Sequence, residues 1–203
     1  MSLRTSALLL LIASVSTEAA AAEVFVHTAP KKAASTLLSQ TAADARVFVT
    51  PAQALAAPVG VAYQKGRWSI ATTNGAAIPK GAKFNVLVLP LDAPGAFVHR
   101  ATKSNVRGHE TALEPPAIAK NPRVMPIVTP RVTSRARPTS AVGVRWTGDT
   151  WTIFRQDGKP MRPGATFHVL VAVRVHRVAK ATKRDALARK DEDAKLFVTP
   201  TLG

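Results

Sequence analysis

The chain repeats itself, and the repeat restricts its fold more than length or composition does. Residues 59–88 (VGVAYQKGRWSIATTNGAAIPKGAKFNVLV) align without a gap to residues 142–171 (VGVRWTGDTWTIFRQDGKPMRPGATFHVLV), with 12 of 30 positions identical. Tyr63/Trp146, Ser69/Thr152, Asn74/Asp157 and Ile78/Met161 are close replacements. A match of that length and register makes the fold a module used more than once.

Each copy of this block, B, follows a phrase, A, that opens on Val-His and closes on Val-Thr-Pro. The first A runs from Phe25-Val26-His27 to Val49-Thr50-Pro51, and the second from Phe97-Val98-His99 to Val128-Thr129-Pro130. A third runs from Val175-His176 to Val198-Thr199-Pro200 and shares ten identities with the first over 26 ungapped residues. The order is A-B-A-B-A, and the sequence stops where another B would start.

The B half reads as strands. Lys65-Gly66 and Gly148-Asp149 stand where two-residue hairpin turns belong, and Gly-Asp suits a type II′ turn. Those turns set Tyr63 across from Trp68 and Trp146 across from Trp151. Val61/Ile70 and Val144/Ile153 extend each pair on the same face, while Gln64, Arg67 and Ser69, or Arg145, Thr147, Thr150 and Thr152, take the other. Alternation of period two around an aromatic pair predicts a half-buried antiparallel hairpin. Asn74-Gly75, Asp157-Gly158 and Pro79-Lys80-Gly81 mark further turns. Phe84–Leu89 and Phe167–Val173 are apolar on nearly both faces and belong inside a sandwich or barrel.

The A half reads as a strand, an irregular stretch and a second strand closed by proline, which ends a ladder or sits at an edge. Residues 131–138, rich in Arg and Pro, read as an exposed loop. Residues 179–194 lack Gly and Pro and favour a surface helix. The expected organisation is therefore all-β: two tandem sandwich- or barrel-like modules over 23–94 and 95–173, then a partial third repeat over 174–203. The third A half would add a strand to the second module's sheet, leave an open edge for self-association, or mark a truncation.

The sequence of a histidine near an opening strand, a VTP strand, VGVxY/W, WxIFxQD and MxxGAxF resembles an uncharacterised repeat domain of secreted bacterial proteins. The second copy carries it best, in Val142-Gly143-Val144, Trp146, Trp151, Ile153-Phe154, Gln156-Asp157, Met161, Gly164-Ala165 and Phe167. The first copy has Ala71-Thr72-Thr73-Asn74 in place of the IFxQD segment, and the second has His168 where the pattern has Asn. The resemblance implies a small exported β-domain and no assigned activity.

Residues 1–22 read as a secretory signal peptide, with Arg4, an apolar run over Ala7–Val15 and a cleavage site after Ala22. The expected location is secreted or periplasmic, and no segment is apolar enough to span a membrane as a helix. The chain has no cysteine, which removes thiol nucleophiles, thiolate metal sites and disulfides. Its formal net charge is +16, of which residues 100–203 carry 20 basic against 8 acidic groups. Such a balance attracts polyanions: anionic polysaccharide, anionic lipid headgroups or nucleic acid. The candidate contact residues are Arg131, Arg135, Arg137, Arg174, Arg177, Lys180, Lys183 and Arg184. No aromatic residues interleave with them, so binding would follow charge and not base sequence.

His27, His99 and His176 occupy equivalent positions, yet no second ligand or catalytic partner stands at recognisable spacing. The expected role is structural, as it is for Tyr63, Trp68, Trp146 and Trp151, whose burial dominates packing. Thr50, Thr129 and Thr199 are expected to satisfy local backbone groups. The sequence thus points to a non-catalytic exported binding or structural module without a cofactor. The alternative is a hydrolase-type enzyme with a site between modules around the repeated histidines.

Overall fold

A computed structural model describes residues 21–38, 42–115, 118, 120–133, 139–172 and 201–202. Arg135, Arg137, Arg174, Arg177, Lys180, Lys183, Arg184, His176, Thr199 and the helix expected over 179–194 lie outside the described residues, which contain strands and no helix.

The first repeat supplies β1 (Glu23–Thr28), β2 (Ser35–Leu37), β3 (Arg46–Pro51), β4 (Val59–Gln64), β5 (Arg67–Thr72) and β6 (Lys83–Leu89). The second supplies β7 (Ala96–Arg100), β8 (Val106–Arg107), β9 (Glu110–Ala112), β10 (Met125–Arg131), β11 (Val142–Trp146), β12 (Trp151–Arg155) and β13 (Thr166–Ala172). β14 (Thr201–Leu202) follows the third Val-Thr-Pro. The three sheets run β1-β6-β3, β2-β5-β4-β10-β13-β7 and β14-β11-β12-β9-β8, and none closes on itself.

Each repeat is a two-layer sandwich with an A-sheet over a B-sheet. In the first, Val47, Val49, Phe84 and Val86 of β1-β6-β3 pack against Val61, Trp68 and Ile70 of β4 and β5. In the second, Val128, Phe167 and Val169 pack against Val144, Trp151 and Ile153. The two cores are the same core built twice, down to Ile78/Met161 and Ala82/Ala165. The long apolar runs fall on the central strands β6 and β13, each hydrogen-bonded on both sides.

The hairpins form in the expected register, with Tyr63 opposite Trp68 and Trp146 opposite Trp151. Lys65 and Gly66 both have positive φ, as a type I′ turn requires, whereas at the second turn Gly148 carries the positive φ. The expectation of a half-buried hairpin is corrected. β12 is buried at every residue and β5 at every residue after Arg67. In the first repeat the supposed outer face holds Ala62 and Ala71, which Val132 covers. In the second, Glu110 accepts from Arg145 and from the Thr152 hydroxyl at 2.7 Å.

Val132 reaches that face because the two repeats share a sheet. At the end of β10, Arg131 pairs in parallel with Val61 of β4, and the Val132 N–H donates to the Val61 carbonyl at 2.7 Å. The A-sheet of the second repeat thereby continues the B-sheet of the first. Gly60 permits this: a Cβ there would stand 2.4 Å from the Pro130 carbonyl oxygen and 3.1 Å from Val132 Cγ2. β14 pairs with β11 in the same way, Thr201 with Val144, one residue past its own Val-Thr-Pro. Val61 and Val144 are equivalent in the repeat, as are Arg131 and Thr201.

Gly60→Val should therefore force the seam apart and destabilise the chain by about 1–3 kcal/mol, the usual cost of overpacking. Urea unfolding checks this; an unchanged midpoint would mean that the strands do not approach so closely.

Candidate functional site

Two places gather chemistry-bearing side chains: the junction between repeats, and the end of each sandwich where the A-sheet meets the turn before its central strand.

At the junction the outer edge of β3 would present unpaired N–H groups, and side chains from the second repeat take them. His168 Nδ1 lies 2.9 Å from both the N–H and the carbonyl oxygen of Val47, and the Val49 N–H donates to Thr129 Oγ1 at 3.2 Å. The role of Thr129 is thus corrected from a local contact to one 80 residues away. His168, 1% exposed, packs edge-on to Trp68 and against Phe48. Burial first, then Arg131 and Arg46, push its pKa down to about 4 against the opposing pull of the Val47 backbone. The ring is neutral at neutral pH, with Nδ1 set against the Val47 backbone.

Arg131 is also corrected. It is not in an exposed loop but is the half-buried last residue of β10, its guanidinium carbon 5.4 Å from the Trp68 ring centroid. The seam with β4 extends the strand past Pro130 and turns this cation onto an aromatic face. A cleft of about 350 Å³ borders it, lined by Tyr63, Gln64 and Thr133 among others.

The repeated histidines are tied down. His27 Nε2 lies 2.7 Å from the Thr36 hydroxyl, and His99 Nε2 lies 2.8 Å from that of Thr111. The Thr111 hydroxyl spends its one proton on Asn105 Oδ1 at 2.9 Å, so His99 must donate through Nε2–H. Burial lowers the His27 pKa and takes that of His99 down to about 4. Trp68 and Trp151 are 1% and 3% exposed, and each indole N–H donates to a loop carbonyl, of Ala42 and Asn121 respectively. Tyr63 and Trp146 pack edge-on to them, nearer the surface. Among the described residues no group of three or more His, Asp or Glu could hold a metal ion, and no helix is long and apolar enough to cross a membrane.

The second place was missed in the sequence. In the first repeat the Gly81 N–H donates to the Ala29 carbonyl and the Ala29 N–H to that of Ala82, both at 2.8 Å. In the second, Gly164 and Ala101, then Ala101 and Ala165, make the same bonds. These ties bring segments 28–36 and 76–83 together, and likewise 99–108 and 158–166. None of the four contains an acidic residue. Lys31, Lys32, Lys80 and Lys83 stand exposed at one end, and Arg100, Lys103, Arg107 and Arg162 at the other. The nearby carboxylates are occupied: Glu110 by Arg145, and Asp157 by Arg155, whose hydrogen bond holds that carboxyl well below its ordinary range. Apart from the adjacent Lys31 and Lys32, the cations are scattered along the sequence, and only backbone pairing gathers them. The one signal available was the recurrence of a cation beside the same Gly-Ala dipeptide, Lys80 and Lys83 in one copy and Arg162 in the other.

A family model described as a domain of unknown function, DUF7452, matches residues 13–88 and again 60–171. The chain belongs to the DUF7452 family. Both matches end at equivalent residues of the repeat, Val88 and Val171, in the central strands of the two A-sheets. No curated protein and no solved structure matches the chain.

The buried histidines predict how this DUF7452 chain responds to acid. His99 and His168 titrate near 6.5 when unfolded and at about 4 when folded. Between those values the unfolded state binds more protons, so stability is full above the window and falls as pH drops through it. The slope reaches about 1.4 kcal/mol per pH unit for each histidine. His168→Asn should shrink the difference between urea midpoints at acid and neutral pH by the share of one histidine; an equal difference in both proteins would remove His168 from the account.

Proposed function

We propose that this is an exported, non-catalytic repeat protein that contacts anionic envelope or extracellular material through the cationic ends of its modules. The observation that carries this reading is the recurrence of an exposed, acid-free basic cluster at the same structural place in both repeats. One cluster could follow from composition; two at equivalent positions give an extended polyanion two points of attachment on one molecule. The charge of +16 adds long-range attraction. Export rests on Arg4, the apolar run Ala7–Val15 and the small residues Ala20–Ala22. The non-catalytic reading rests on the histidines, whose hydrogen bonds to Thr36 and Thr111 serve to join strands.

The ligand class is a polymer with repeated negative charge, such as an acidic polysaccharide, recognised by charge and spacing. Binding of the purified protein to polygalacturonate and to duplex DNA across a salt series tests this. Affinity should fall steeply with salt. The variants K31Q/K32Q/K80Q and R100Q/K103Q/R107Q should each weaken it several-fold, and their combination more than either. Binding that ignores both clusters, or none at low salt, would return the charge to composition.

A further inference from the structure

We propose that the cleft beyond the end of the β4–β10 seam is a subsite for a single acidic sugar residue, a hexuronate, whose carboxylate meets Arg131 and whose ring lies on Tyr63. This subsite rests on the reading above that the protein binds an acidic polysaccharide, and it is where one residue of that polymer is held. The cleft exists because the two strands stop at different places. β10 ends at Arg131, level with Val61, while β4 runs on to Gln64. Past the seam lies a notch of about 350 Å³, with Tyr63 and Gln64 on one side and Arg131 and Thr133 on the other. That is toward the small end of the ~300–1,000 Å³ usual for ligand clefts. Val61 gives its carbonyl to the Val132 N–H. Tyr63, two residues along the same strand, turns its own N–H and carbonyl to that edge and so toward the notch.

The charge beside the notch has no counterpart. Among the described residues neither Arg131 nor Arg46 pairs with a carboxylate, and burial and the Arg46 charge both act against the Arg131 cation. A half-buried cation in that setting is stabilised by an anion brought to it. The guanidinium lies over the Trp68 ring, a contact that uses its flat face. Its N–H donors lie in the plane, which is the geometry that grips a carboxylate. The repeat itself does not call for this cation: Ala52 and Thr201 follow the first and third Val-Thr-Pro where Arg131 follows the second.

Tyr63 supplies the other half of the recognition. It is 37% exposed, whereas Trp68 beside it is 1% exposed. The Tyr63 ring centroid is 5.3 Å from that of Trp68, and the Arg131 guanidinium carbon is 5.4 Å from the same indole. One buried ring therefore fixes both the cation and the exposed aromatic. A phenol ring held in this way offers apolar surface to the C–H face of a sugar. Gln64, also exposed, offers an amide to the sugar hydroxyls. A cation, an aromatic ring and an amide around one small notch fit a uronate better than a bare phosphate or sulfate, which has no apolar face.

Titration of the isotope-labelled protein with trigalacturonate, followed by nuclear magnetic resonance, tests the subsite without any substitution. Saturable shifts should centre on the backbone amides of Tyr63, Gln64 and Val132 and on the Arg131 Nε–H, and the fully methyl-esterified trimer should not produce them. R131Q should weaken trimer binding about tenfold or more, the usual effect of losing a hydrogen bond to a charged group. Q64A, at an exposed position outside the core, should weaken it several-fold with an unchanged urea midpoint. Shifts confined to the lysines and arginines of the sandwich ends would overturn the subsite and leave the polyanion reading standing. So would a trimer that does not bind when polygalacturonate does. Equal shifts from the ester would also overturn it, since the carboxylate would then not be what Arg131 meets. A trimer seated in the notch of a protein whose hold on polygalacturonate ignores both end clusters would uphold the subsite and defeat attachment through the ends. If neither trimer nor polymer binds, both fail.

Discussion

Most of this architecture depends on one close approach: the carbonyl of Pro130 passing over Gly60. A side chain at Gly60 would keep β10 away from β4, and the two repeats would become separate sandwiches joined by a linker. With hydrogen in that place the strands pair, and a six-stranded sheet runs through both repeats. The consequences follow by geometry. Val132 is drawn over Ala62 and Ala71, Arg131 is laid on Trp68, and the face carrying Thr129 and His168 is brought against the edge of β3.

That last contact manages a liability common to sheet proteins. An edge strand as apolar as β3 invites pairing with another chain, and proteins blunt such edges with charge, proline or cover. Here cover is supplied by side chains, with an imidazole nitrogen and a hydroxyl standing in for a neighbouring strand's backbone groups. Burial beside two arginines keeps that imidazole neutral. β10 stands where β3 stands in the first repeat, and there Pro126 replaces Val47, so the N–H that would need an acceptor is missing from the strand.

How much of this the sequence disclosed depended on the range of the interaction. The hairpins were legible because turn chemistry and alternation act over a few residues, and the pairing of Tyr63 with Trp68 followed from counting back from Lys65-Gly66. The twin cores were legible because the repeat kept their residues. His168 looked like a lapse from the pattern because its partner, Val47, lies 121 residues away. Arg131 read as part of a loop because nothing local reveals that β4 will extend its strand. The buried second face of the hairpins was hidden for the same reason: Ala62 and Ala71 alternate correctly for a solvent face, and only another repeat covers them. Basic residues that converge at the sandwich ends escaped notice because they converge through backbone bonds between A and B halves.

These observations separate the unit of sequence from the unit of structure. By sequence the module is A followed by B. By packing, a B-sheet is flanked on one side by its own A-sheet, as a sandwich partner, and continued at its edge by the A half that follows. An A half therefore belongs to two neighbours at once, lying over the B-sheet of its own repeat and continuing the edge of the B-sheet before it. Thr201 and Leu202 occupy that place on β11. The same offset, by fixing one sandwich to the next through a shared sheet, sets where successive cationic ends fall along the molecule.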